Sequence, residues 1–71
     1  MGLNKGDLVW IPSDTVVHFA KRKKEHFVRT KSPSTGLFLQ EVSGAAGAVA
    51  VVYRYGEEVR ISPRRIRKME A

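Results

Sequence analysis

Three residue types that could perform nucleophilic hydrolysis occur close together near the start of the chain: Ser13, Asp14 and His18. In a hydrolytic triad, an aspartate orients a histidine, which takes the proton of the serine nucleophile. Triads are defined by geometry, however, and these residues follow Pro12 in a stretch where Ser and Asp are typical of turns. We therefore interpret Ser13 and Asp14 as turn residues, and we expect no enzymatic activity.

Metal binding is the second chemistry to consider. His18 and His26 are the only imidazoles, and the chain has no cysteine. A structural zinc site needs four ligands, usually thiolates and imidazoles. We therefore expect no metal and no cofactor.

The segment Gly44 to Gly47 matches the Gly-x-x-Gly pattern of a loop that clamps nucleic-acid backbone, but that loop lies at a helix junction and here we predict a hairpin turn.

Basic residues are the best candidates for binding. The chain has 13 Lys and Arg against 7 Asp and Glu, a formal net charge of +6. A positive surface attracts nucleic acids through their phosphates and proteins through their acidic patches, so both classes of partner stay open. Most of the excess charge lies in two clusters, which are Lys21, Arg22, Lys23 and Lys24, and then Arg60, Arg64, Arg65, Arg67 and Lys68.

The elements that position these residues are predicted to be short strands. Alternating apolar residues separated by Gly, Pro, Ser and Asp are typical of strands and turns. We expect antiparallel strands at 7–11, 25–31, 37–42, 48–55 and 58–61, with 15–19 forming an extended arm of a long first loop. A short 3-10 turn near Pro63 should carry Ile66 to the core. About five strands at this spacing predict an all-β fold, a small barrel.

An SH3-like barrel is the fold that the chain resembles over nearly its whole length. The resemblance rests on the opening strand Gly6-Asp7-Leu8-Val9, a long first loop, a three-stranded meander, and a final strand with a short helical turn. Val9–Asp14 and Arg60–Met69 are similar to the amino-terminal SH3-like subdomain of myosin heavy chains. Pro12–Val16, Thr30–Leu39 and Tyr55–Ile61 resemble short uncharacterised SH3-like proteins of tailed bacteriophages. The resemblance implies the fold and a viral or bacterial context, but no site residue.

The predicted core is aliphatic. We expect ten side chains to fill the barrel, namely Val9, Ile11, Val28, Leu37, Leu39, Val49, Val51, Val59, Ile61 and Ile66. This frame turns Trp10 and Phe38 outward, where exposed aromatic rings near arginines would stack on bases or anchor a protein partner. The alternation does not fix the frame of each strand, so burial in the core is the alternative for each aromatic side chain. Trp10, Phe38 and the two basic clusters are therefore the predicted partner-binding residues.

The length of 71 residues predicts one domain, 1–71, with a thin core. No apolar run approaches the roughly 18 residues of a membrane span, so we expect no membrane partner and a cytoplasmic protein, in the host cytoplasm if the source is viral. Two functions remain. One is a small basic accessory module of a phage or bacterium that docks on an acidic protein. The alternative is a barrel that binds nucleic-acid phosphates through its Lys and Arg clusters.

Overall fold

The computed structural model describes residues 2–19, 27–44 and 47–69, and these residues form strands, turns and loops without a helix. All strand pairs are antiparallel. They join in one sheet with the order β3-β2-β6-β5-β4-β1-β7. The strands are β1 (Leu8–Ile11), β2 (Val16–Phe19), β3 (Phe27–Arg29), β4 (Ser34–Gly44), β5 (Gly47–Arg54), β6 (Glu57–Ile61) and β7 (Arg67–Lys68).

The predicted all-β class and antiparallel pairing are confirmed, but the strand count is not. The sheet has seven strands in an open order instead of about five. The arm at 15–19 is strand β2, which pairs with β6 through His18 and Arg60. Strand β7 consists only of Arg67 and Lys68, so the sequence has no apolar alternation there that would predict a strand. The expected 3-10 turn is instead an isolated turn, closed by the Arg65 N–H donating to the Ser62 carbonyl oxygen (3.0 Å).

The core lies on one face of this sheet. Five of the predicted core residues are buried there, namely Val9, Ile11, Val59, Ile61 and Ile66. Four residues that were not predicted also belong to the core: Val17, Phe38, Ala50 and Val52. Val51 is also buried, as expected, but outside this cluster. Leu39 and Val49 are only half-buried. The expectation was wrong for Val28 and Leu37, which are exposed.

Phe38 is the most consequential correction, because it was expected to face outward and to bind a partner. Its exposed fraction is 4%, and it lies opposite Val52 in the ladder between β4 and β5. The inward residues of β4 are Ser34, Gly36 and Phe38. Because Ser and Gly carry no apolar signal, the alternating pattern assigned the inward face to Leu37 and Leu39 instead. Phe38 is therefore a core residue and not a binding residue.

Curvature of the sheet encloses this core. Val17 of β2 and Val9 of β1 belong to one hydrophobic cluster, although three strands separate β2 from β1 in the sheet order. Both side chains are fully buried, and the described residues form no second sheet or helix that could cover them, so the sheet must curl around the cluster. The register between β4 and β5 shifts between Phe38 and Gln40, and such a bulge bends and twists a strand.

The base of the first loop is held by two buried threonines. The Thr15 N–H donates to Thr30 Oγ1 (2.9 Å), and both threonine hydroxyls donate to the Pro12 carbonyl oxygen (2.8 and 2.9 Å). Arg65 Nη2 donates to the carbonyl oxygen of Asp14 (3.0 Å). This contact places the turn after β6 against the base of the first loop.

Candidate binding groove

The structure distributes the carboxyl-terminal basic cluster over several surfaces. Arg60 and Arg64 line adjoining cavities at one end of the sheet. Arg65 is directed to the base of the first loop by its bond to Asp14. Arg67 lies opposite Trp10 on the outer face. Lys68 Nζ is 3.7 Å from Asp7 Oδ2, so its charge is partly compensated.

A groove opens where β5 extends beyond its partner β6. The ladder between the two strands ends at Ala50 opposite Ile61, while β5 begins at Gly47. Beyond Ile61 the chain leaves the sheet and forms the turn at 63–65. Two cavities share Gly47, Ala48 and Ser62, and we treat them together as one groove. The described residues that line it are His18, Gly47, Ala48, Val49, Arg60, Ile61, Ser62, Pro63 and Arg64.

The charge of the groove is positive. Arg60 and Arg64 are exposed, and no carboxylate is found among the described residues that line the two cavities. His18 lies directly opposite Arg60 in the ladder between β2 and β6. Two guanidinium groups without a neighbouring carboxylate in the lining provide charged donors for a carboxylate or phosphate ligand.

One wall of the groove is an unpaired strand edge. Gly47, Ala48 and Val49 pair with Gly44, Ser43 and Val42 of β4 on one side. On the other side, no strand of the described residues pairs with them. Such an edge presents backbone N–H and C=O groups that can pair with another extended chain.

The remaining predicted binding residues are not part of the groove. Trp10 is 36% exposed on the outer face, which agrees with the expectation that it turns outward. Phe38 is in the core. Lys21, Arg22, Lys23 and Lys24 lie outside the described residues.

Sequence reasoning missed most of the groove. It considered His18 as a catalytic or metal candidate, and it considered Gly44–Gly47 as a backbone-clamping loop before assigning it to a hairpin turn. The missing signal was length: β5 has eight residues and β6 has five, so part of β5 must extend past its partner. In the described residues there is no group of three or more acidic or histidine side chains that could hold a metal ion.

No helix of the described residues has the length and apolar character needed to cross a membrane. Comparison of the chain with protein-family models, curated proteins and solved structures finds no match.

Proposed function

We propose that this protein is a small non-enzymatic binding module that docks an extended acidic segment of a partner protein in the groove. The observation that carries the proposal is the edge of Gly47–Val49 beside Arg60 and Arg64, which no strand of the described residues covers. An extended peptide can add to such an edge through main-chain hydrogen bonds. Carboxylates on the peptide would then meet the two guanidinium groups, which supply selectivity for acidic sequences.

The same features favour a protein over a nucleic acid. Binding of single-stranded nucleic acid commonly combines phosphate contacts with bases stacked on aromatic side chains. Among the described groove residues there is no Phe, Tyr or Trp. Backbone pairing along a strand edge has no counterpart in a sugar-phosphate chain. Nucleic-acid binding stays the alternative because the net charge of +6 attracts polyanions.

We further infer that the curled sheet is an SH3-like barrel. Three features support this assignment: a long first segment that carries β2 and β3, a meander of β4, β5 and β6, and a turn before the short final strand β7. The resemblance to small phage proteins suggests an accessory role in which the module docks on an acidic protein of the host or the virion.

A titration with model ligands tests the proposed function. The probes are a short peptide of alternating Glu and Thr, the same peptide with Gln in place of Glu, and a single-stranded oligothymidylate of equal formal charge. We expect the Glu peptide to bind at least about tenfold more tightly than the Gln peptide at low salt, because the uncharged amide forms weaker bonds with guanidinium groups. Isothermal titration calorimetry at several salt concentrations measures the affinity of each ligand and how that affinity depends on salt.

Two outcomes would contradict the proposal. Equal affinity for the Glu and Gln peptides would show that the groove does not select acidic side chains. Tighter binding of the oligothymidylate, with a logarithmic loss of affinity as salt rises and displacement of the Glu peptide, would assign the groove to nucleic acid.

A further inference from the structure

A row of exposed side chains crosses the outer face of the sheet, apart from the groove. Directly opposite residues of an antiparallel ladder lie on the same face. The register places Leu8 opposite Leu37, Leu37 opposite Tyr53, and Tyr53 opposite Glu58. The Met69 N–H donates to the Leu8 carbonyl oxygen (2.9 Å), which adds Met69 at the other end. These residues form a continuous row from Met69 to Glu58.

The row is apolar and open to solvent over most of its length. Trp10, two residues after Leu8 on the same face, widens it. The exposed fractions of these five large side chains lie between 36% and 52%, for Leu8, Trp10, Leu37, Tyr53 and Met69. Contiguous apolar patches on a soluble protein commonly mark interaction surfaces. We call this surface the outer row.

The two ends of the outer row carry opposite charge. Arg67 lies opposite Trp10 and two residues from Met69, so it shares their face. At the other end a shallow depression is lined by Phe19, Tyr53, Gly56, Glu57 and Glu58. Carboxylates beside an aromatic ring suit a guanidinium group, which stacks on the ring and bonds to the acids.

Both glutamates of the depression also interact within their own chain. A carboxylate has about four acceptor sites, so it can bond to a second donor without losing the first. The depression can therefore receive a cation from another molecule. Arg67 of the same chain lies at the far end of the row, and three strands separate its strand β7 from β6 in the sheet order.

We propose that the outer row binds a second copy of this chain in a two-fold arrangement. A row that is basic at one end and acidic at the other is complementary to itself after a half turn, which is the condition for an isologous dimer. In this arrangement Arg67 of each copy enters the depression beside Glu58 of the other. The apolar side chains between them pack across the axis, close to Leu37.

The dimer should be weak and reversible. From Met69 beside β7 to Glu58 on β6 the row crosses five neighbouring strands, which is about 19 Å at the usual strand spacing of about 4.8 Å, a small contact compared with the area of a standard interface. The formal charge of +6 on each copy opposes association at low salt. Added salt screens this repulsion, so dimerisation should strengthen with salt while binding of an acidic peptide weakens.

Sedimentation equilibrium tests the dimer, at concentrations that reveal a dissociation constant as weak as about 1 mM. We expect a monomer–dimer equilibrium for the unaltered chain. Arg67→Glu and Glu58→Lys should each weaken dimerisation by about tenfold or more, because each places like charges together. The double variant should recover most of the affinity. Arg64→Glu makes the same charge change as Arg67→Glu, but away from the outer row. It is the control for Arg67→Glu and should not weaken dimerisation.

Three results would overturn the proposal: a monomer at every concentration, a dimer that is insensitive to both single variants, or a double variant weaker than either single one. Thermal melting of each variant verifies folding. If Glu58→Lys does not fold, Leu37→Asn replaces it. Loss of the central apolar contact should also weaken dimerisation. A dimer that is unchanged by Leu37→Asn would contradict the two-fold arrangement.

Discussion

Reversing the two groove charges together, Arg60→Glu with Arg64→Glu, should weaken binding of the Glu–Thr peptide by about a hundredfold. Each hydrogen bond to a charged group contributes about 1.5 kcal/mol or more, and two such bonds amount to about 3 kcal/mol, a hundredfold in affinity. Both side chains are exposed and outside the core cluster, so the fold should survive. Calorimetry at low salt measures the loss, and circular dichroism verifies the fold.

A matched control separates a local contact from general attraction. Lys5→Glu with Lys31→Glu also reverses two exposed charges, and either pair lowers the formal charge from +6 to +2, since each reversal removes two units. Neither lysine lines the groove. We expect this control to weaken binding by less than about tenfold, mainly through a slower association rate. Equal losses for the two pairs would show that net charge, and not the groove, binds the peptide.

Gly36→Ala should destabilise the protein by about 1–2 kcal/mol. A Cβ at Gly36 would lie 2.5 Å from Val52 Cγ1 and 3.0 Å from the Tyr53 carbonyl oxygen. Overpacking of this kind costs about 1–3 kcal/mol, whereas replacing a strand glycine by alanine gains only about 0.5–1 kcal/mol of backbone entropy. The clash should prevail because one of the two contacts is with the backbone. Urea denaturation measures the free energy of unfolding.

Two further variants make this result specific. Gly2→Ala, where a Cβ would meet no atom within 4 Å, should change stability by less than about 0.5 kcal/mol. In a Val52→Ala background, Gly36→Ala should cost less than in the unaltered chain, because the nearest clashing atom is gone. Additive effects of Gly36→Ala and Val52→Ala would mean that the two residues do not touch.

The fold class could be predicted from the sequence because several strands show the two-residue alternation of buried apolar and exposed residues that is typical of β-strands. Val9 and Ile11, and Val59 and Ile61, alternate with exposed residues and were correctly assigned to the core. The inward frame of β4 could not be predicted, because its inward residues include Ser34 and Gly36. The register shift after Phe38 then breaks the alternation that a pattern reading assumes.

The site was predictable only in its charge. Arg60 and Arg64 stood out as basic residues, but their neighbours in sequence, Arg65 and Arg67, are directed to other surfaces. The groove itself is a property of pairing: it exists because the ladder between β5 and β6 ends at Ala50 and Ile61. Register of this kind depends on contacts between distant segments, which a local pattern does not encode.

Mapping of the Glu–Thr peptide by NMR on the ¹⁵N-labelled protein tests the central claim most directly. We expect saturable shifts of the backbone amides of Gly47, Ala48 and Val49, together with Ser62 and Arg64, and slower hydrogen exchange of at least one amide along the Gly47–Val49 edge, because a bound strand protects the groups it pairs with. The amides of Leu8 and Leu37 on the outer row should not move. Shifts confined to the outer row, or to Lys21–Lys24 without the strand edge, would contradict docking in the groove.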